Sequence, residues 1–258
     1  MKNLPGIQKW VKLKKGFEPY VSPSKLNLFR NSPSMFACRY GFGAKGQSSP
    51  AMWRGIYIED AVVEVLTEKK SIEEAIKGAQ DKFKKKYFMF DDRVEREYKV
   101  LDPMIQNSCE ALDGFGIPEF DNGRQKKIEF DISDDDWSIG GMGYLDLVFP
   151  NGQIVDLKTT HMCPSTMSAD HQLQRAFYKT AMSNYQCRFL YVTKSKAVFL
   201  EDGDEVDVMN DAKILIKKLD NFCNTLTPDQ ARKSIPISGS DYYWNGEDNL
   251  RNFYNEKE

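Results

Sequence analysis

The stretch from Gly143 to Thr160, GYLDLVFPNGQIVDLKTT, decides the fold. It reads as two strands joined by a Pro150-Asn151-Gly152 turn, with Asp146 on the first strand and Asp156 and Lys158 on the second. Successive strand residues face opposite sides, so Asp156 and Lys158 share a face and Leu157 lies opposite. Pro150 suits the first corner of a type I turn, Asn151 the second, and Gly152 the left-handed bulge position of a three-residue hairpin loop. In that register Phe149 faces Gln153, Val148 faces Ile154, Asp146 faces Asp156 and Tyr144 faces Lys158. Two carboxylates and one ammonium then converge on one face. A two-residue loop would send Asp146 to the other face and dissolve the cluster, so the turn chemistry decides the geometry.

On either side the hydrophobic period identifies the neighbouring elements. Lys126–Ser133, KKIEFDIS, alternates as a strand and carries Glu129; a turn of acidic residues, Asp134 to Asp136, separates it from the central hairpin. After the hairpin, His161–Ser168 reads as a loop, and Ala169–Asn184 as a helix with Gln174 and Tyr178 on one face. CRFLYVTK and KAVFLED read as two further strands and Val206–Leu226 as a helix. Upstream the pattern is helical. Val21–Tyr40 opens on a Ser22-Pro23 cap and is split by Pro33. Gly41–Pro50 is a loop of turn residues. Helices are expected over Met52–Glu68, with Glu59 amid its apolar pattern, over Ser71–Tyr87 and over Val94–Leu112. The tail, with Tyr242, Tyr243, Trp244 and Phe253, is too aromatic for disorder. The expectation is one α/β domain: a central mixed β-sheet flanked by helices, with residues 1–120 a mainly helical portion, 121–205 the sheet and its helix, and 206–258 a C-terminal helix and tail.

At 258 residues, 41% apolar and 29% charged, the chain has the composition of a globular protein with a sizeable core. A net charge of −2 does not advertise a polyanion binder. Basic residues nonetheless cluster at Lys9–Lys15, Lys82–Lys86 and Arg124–Lys127, where solvated helix faces are the simplest reading. Five scattered cysteines without a Cys-x-x-Cys pair read as reduced thiols. The N-terminus lacks the apolar core of a signal peptide, and no run reaches the length of a membrane span, so a cytoplasmic protein with no membrane partner is expected.

Carboxylates fixed on adjacent strands make an oxygen-rich site for a hard divalent cation such as magnesium or manganese. A lysine beside them orients a water or stabilises developing phosphorane charge. Together they suit metal-assisted phosphodiester hydrolysis. The bland alternative is an internal salt bridge in which Asp146 and Asp156 flank Lys158. Against it stand Leu145, Leu147, Val148, Ile154, Val155 and Leu157, which predict a buried hairpin where ionisable groups are costly unless paired or metal-bound.

Gly143-Tyr144-Leu145-Asp146 followed by Asp156-Leu157-Lys158 resembles the G-x-x-D and (D/E)-x-K elements of the PD-(D/E)XK nuclease superfamily. Gln174 to Tyr178 is similar to the Q-x-x-x-Y helix of its RecB-like branch, and Arg54 to Glu59 to that branch's R-G-x-x-x-(H/E) helix. SPSKLNLFRNSPSMFACRY resembles its N-terminal entry. Glu59 stands where many RecB-like nucleases have histidine and lambda-exonuclease-like members have glutamate. The resemblance implies a restriction-endonuclease-like core and a metal held by Glu59, Asp146, Asp156 and the Leu157 carbonyl. It further implies that Lys158 aligns the attacking water, and that Gln174 and Tyr178 position the phosphate backbone or Lys158. The implied partner is DNA and the implied activity an exonuclease acting in recombination, repair or DNA degradation. Size permits a phage-type enzyme; a homo-oligomer or a recombination partner protein is the further partner expectation. An endonuclease of the same fold and a non-catalytic DNA-binding subunit are the alternatives. Cys38 is present at the entry, but no cysteine trio follows Cys223, so no iron-sulfur cluster is expected. His161 and His171 are read as loop or supporting residues, and Glu129 as a surface partner of Lys126 and Lys127 as readily as a site residue.

Overall fold

The computed structural model describes residues 2–13, 20–121, 125–201 and 204–255. Lys14, Lys15 and Arg124 of the basic clusters, and Asp202 at the end of an expected strand, lie outside the described residues. In chain order the elements are β1 (Lys2–Asn3), α1 (Pro5–Leu13), β2 (Tyr20–Val21), α2 (Pro23–Asn31), α3 (Pro33–Phe36), α4 (Pro50–Leu66), α5 (Ile72–Lys86), α6 (Asp92–Tyr98) and α7 (Leu101–Ala111). There follow β3 (Lys126–Ser133), β4 (Trp137–Leu145), β5 (Leu147–Phe149), β6 (Gln153–Thr159), α8 (Ala169–Ala181), β7 (Gln186–Val192), β8 (Ala197–Leu200), α9 (Glu205–Thr225), α10 (Pro228–Ser234) and α11 (Asp248–Asn255).

The mixed α/β class and the helical N-terminal portion are as the sequence predicts, but the strands form two four-stranded sheets where one central sheet was expected. In the first, β4 pairs with β3 antiparallel and with β1 and β2 in parallel; in the second the order is β5-β6-β7-β8. The chain passes between them at Asp146. The turn behaves as its chemistry requires: Gly152 has a φ of +82°, and its N–H donates to the Phe149 carbonyl at 3.1 Å. Phe149 pairs with Gln153, Val148 with Ile154 and Leu147 with Val155, which is the expected register. Beyond Leu147 the pairing stops. Tyr144 does not sit beside Lys158, because β4 turns away to pair with β3, where Tyr144 faces Lys127.

Alternation along β6 divides the protein's apolar interior. Leu147, Phe149, Val155 and Leu157 face a cluster built with α4, α5, α6 and α7 around Ile58, Phe83, Leu101 and Met104. Val148, Ile154, Phe189 and Tyr191 face the other cluster, which draws on α1, α2, α3, α8 and α9. A sheet covered on both faces accounts for the near-continuous apolar run of the hairpin.

Three other differences have local causes. The helix expected over Val94–Leu112 is two helices, α6 and α7. Pro103 has no N–H for the Lys99 carbonyl, and its ring would clash there, so the helix restarts at Leu101. Helix α1, not anticipated, lies against α9, whose Asp220 accepts the N–H groups of Gly6 (2.8 Å) and Ile7 (3.0 Å) and so caps α1 from a distance. The aromatic tail is ordered: Trp244 is buried, donates to Ser34 Oγ at 3.0 Å, and packs on Tyr254. Among the described residues no helix is long and apolar enough to cross a membrane.

A buried ion pair pins α4 to the end of β6. The Arg54 guanidinium pairs with Glu97 of α6 and donates to the Thr159 carbonyl at 2.9 Å, and His161 Nε2 lies 3.0 Å from Glu97. Burial opposes the Glu97 charge, but the His161 hydrogen bond and the Arg54 charge outweigh it and hold its pKa below the ordinary carboxylate value. Arg54→Met, which leaves Glu97 buried without its guanidinium, is expected to cost about 3–5 kcal/mol in urea unfolding; a loss below about 1 kcal/mol would show that the pair does not tie these elements together.

Candidate active site

Asp146 occupies the bend where the two sheets part. Its Oδ2 accepts the N–H of Leu157 at 3.0 Å, so a side-chain oxygen replaces the backbone carbonyl that a continuing ladder would supply. N–H and carbonyl of one strand residue point to the same side, which directs the Leu157 carbonyl toward Asp146 as well. The gap left by the departing strand is filled from α8. The Tyr178 hydroxyl donates to the Tyr144 carbonyl at 2.6 Å and lies 3.2 Å from Asp156 Oδ2. Gln174 Nε2 donates to the same Asp156 oxygen at 2.8 Å and lies 2.5 Å from the Tyr178 hydroxyl. Gly143 makes room for this: an added Cβ would come within 3.1 Å of the Tyr178 ring and 3.3 Å of Ile128. Glycine, aspartate, glutamine and tyrosine thus act on one gap, although 35 residues separate the first from the last.

Asp156 is fully buried and Asp146 nearly so. Lys158 Nζ lies 2.5 Å from Asp156 Oδ1 and 5.3 Å from the centre of the Phe189 ring. Burial works against the Lys158 charge, yet Asp156 and Asp146 together hold its pKa above the ordinary lysine value. Burial, with Asp156 and Glu59 close by, pushes the Asp146 pKa well above the carboxylate range. Glu59, on α4, is pushed up to about 6 by burial first and by the Asp156 charge second. Three carboxylates therefore share one small volume with a single lysine.

The sequence reading missed Gln125, just before β3. Its Nε2 donates to Glu59 Oε1 at 3.0 Å and to Asp146 Oδ1 at 2.6 Å. A single amide thus bridges two carboxylates that repel each other, a job whose only sequence signal was the residue's place at the start of a strand. Among the described residues no three His, Cys, Asp or Glu side chains stand as a ready-made metal cage; Glu59 joins the aspartates through the Gln125 amide. The donor set nevertheless fits a hard divalent cation, since it offers oxygen atoms alone and carries excess negative charge in a buried setting.

The remaining candidates divide. His171 Nδ1 lies 2.5 Å from the Tyr191 hydroxyl on the Lys158 side of the sheet, and burial followed by the Lys158 charge lowers its pKa. His161 belongs to the Arg54–Glu97 pair. Glu129 lies apart from the site as an exposed partner of Lys127, at 2.5 Å. Cys38 is buried near the N-terminal entry.

A protein from Eubacterium rectale named "Putative exonuclease" is 12% identical, with a TM-score of 0.51, over 88% of this chain and 92% of its own. That likeness shows the fold. The crystal structure of SSO0001, 14% identical with a TM-score of 0.34, covers 62% of this chain and 83% of that one. No family model matches the sequence, and no curated protein does.

The raised Glu59 pKa sets a pH dependence. Between about 4.5 and 6 the folded chain keeps a proton on Glu59 that the unfolded chain releases. The stability that Glu59 contributes to the metal-free protein is therefore present below this window and lost as pH rises through it. Glu59→Gln is expected to flatten that slope and raise the unfolding midpoint at pH 8, measured by calorimetry in chelator from pH 4 to 8. Parallel wild-type and variant curves would contradict the assignment.

Proposed function

We propose that this chain is a magnesium- or manganese-dependent nuclease that hydrolyses DNA phosphodiester bonds from DNA ends, a member of the RecB-like, lambda-exonuclease-like branch of the PD-(D/E)XK superfamily. The observation that carries the proposal is the meeting of Asp146, Asp156 and Lys158 where the two sheets part, with the Leu157 N–H on Asp146 and Glu59 joined through Gln125. The likeness to the fold of a protein named as an exonuclease supports it.

Asp146, Asp156 and the Leu157 carbonyl, with Glu59 contributing, would hold the cation. When bound, the cation supplies neutralisation of phosphate oxygens and a water of lowered pKa. Lys158, kept protonated by Asp156, directs its N–H groups at the attacking water and at charge growing on the phosphate. Gln174 and Tyr178 hold Asp156 Oδ2 and so keep the carboxylate from rotating onto Lys158 with both oxygens. Tyr178 retains its proton, because burial and the Asp156 charge push its pKa well above the ordinary tyrosine value.

Linear DNA with magnesium or manganese is the test. Asp146→Ala, Asp156→Ala and Lys158→Ala are each expected to lose at least about 100-fold in rate, with chelator abolishing wild-type cleavage. Variants as active as the wild type would overturn the catalytic assignment. Covalently closed circular DNA separates the modes: resistance fits action from ends, whereas cleavage of the closed circle would make the protein an endonuclease.

A further inference from the structure

Resting on the nuclease reading, we infer that the connection between α5 and α6 is a stacking platform for unpaired bases, so that the DNA presented to the site is single-stranded at its end. This connection reads Tyr87-Phe88-Met89-Phe90-Asp91. Its ends are rooted: the Tyr87 ring lies 5.1 Å from that of Phe83, and Phe90 packs at 5.4 Å on Tyr98. Its tip is turned outward. Phe88 is fully exposed, more so than any other large apolar side chain among the described residues, and Met89 is 79% exposed. A phenyl ring held in water on an anchored loop costs hydrophobic free energy and gains nothing within the chain.

The occupant follows from charge, area and place. The tip is preceded by Lys84, Lys85 and Lys86, all exposed, of which Lys86 lies 4.3 Å over the Trp53 ring and Lys84 5.1 Å over Tyr98. Arg93 and Arg96 follow, together with Asp91, Asp92 and Glu95; Asp91 caps α6 and Glu95 is paired with Lys99. Two apolar side chains fall far short of the roughly 1,000 Å² of a specific protein interface, but one ring matches one base, and lysines beside it match the phosphates on either side. The place is the N-terminal end of α4, the helix that carries Glu59. Trp53, beneath Lys86, adjoins Arg54, which holds the Thr159 carbonyl one residue beyond Lys158. Met52 and Met162, both exposed, lie at this same end, on the first turn of α4 and in the loop after β6.

The experiment is fluorescence anisotropy with a labelled 20-nucleotide single strand and a blunt hairpin duplex, in chelator so that no cleavage occurs. Phe88→Ala is expected to weaken single-strand binding by about tenfold, to leave duplex binding within twofold, and to preserve the unfolding midpoint. Phe88→Trp is expected to bind as the wild type and to show quenching of its tryptophan fluorescence as the single strand adds. Equal single-strand affinity in Phe88→Ala, or an equal loss on the duplex, would overturn the inference. So would concentration-dependent dimerisation of the wild type, by sedimentation, that Phe88→Ala abolishes. Because binding is read without catalysis, a chain that holds single strands through Phe88 but cuts no DNA would sink the nuclease reading and leave the platform standing.

Discussion

One hydrogen bond governs the arrangement: the N–H of Leu157 donates to the side chain of Asp146. In an ordinary hairpin that N–H would go to a backbone carbonyl and the strands would run on together. Here the carboxylate takes the carbonyl's place, β4 leaves for the other sheet, and a polar gap opens between two apolar clusters. Everything placed in that gap answers to it. Tyr178 and Gln174 enter from α8, Gly143 makes way for the tyrosine ring, and Gln125 and Glu59 close it from the side of α4.

The gap is electrostatically incomplete. Asp146, Asp156 and Glu59 are opposed by Lys158 alone, and Asp146 and Glu59 are driven toward their neutral form by burial and by the Asp156 charge. Gln125 relieves part of the strain with two N–H groups, one toward each of two carboxylates. An amide supplies only partial charge. A dication would supply what is missing, which is the physical sense of the proposed metal dependence.

The core of this site was legible because the turn is stereochemically explicit. Pro150, Asn151 and Gly152 fix the loop length, and the loop length fixes which face Asp146 takes. The register near the turn follows as far as Leu147 and stops at Asp146, which does not pair with Asp156 and whose side-chain hydrogen bond, not visible in the strand period, takes the chain and Tyr144 to another sheet. Helical spacing put Gln174 and Tyr178 on one face; their place in the site was legible only through the Q-x-x-x-Y resemblance. Gln125 was not, since nothing in KKIEFDIS or the residues before it distinguishes an amide that bridges carboxylates from a strand-end glutamine. Helix α1 was hidden because its N-terminal donors are satisfied by Asp220, more than 200 residues away. The division of Val94–Leu112 was written in Pro103 but masked by the apolar period on both sides.

The central claim is that this gap takes up a divalent cation. Calorimetric titration of the chelator-stripped protein with manganese tests it without reference to cleavage. The account predicts saturable binding to the wild type that Asp146→Asn abolishes or greatly weakens while the fold persists. Equal manganese binding by wild type and Asp146→Asn, or no saturable binding by either, would contradict it.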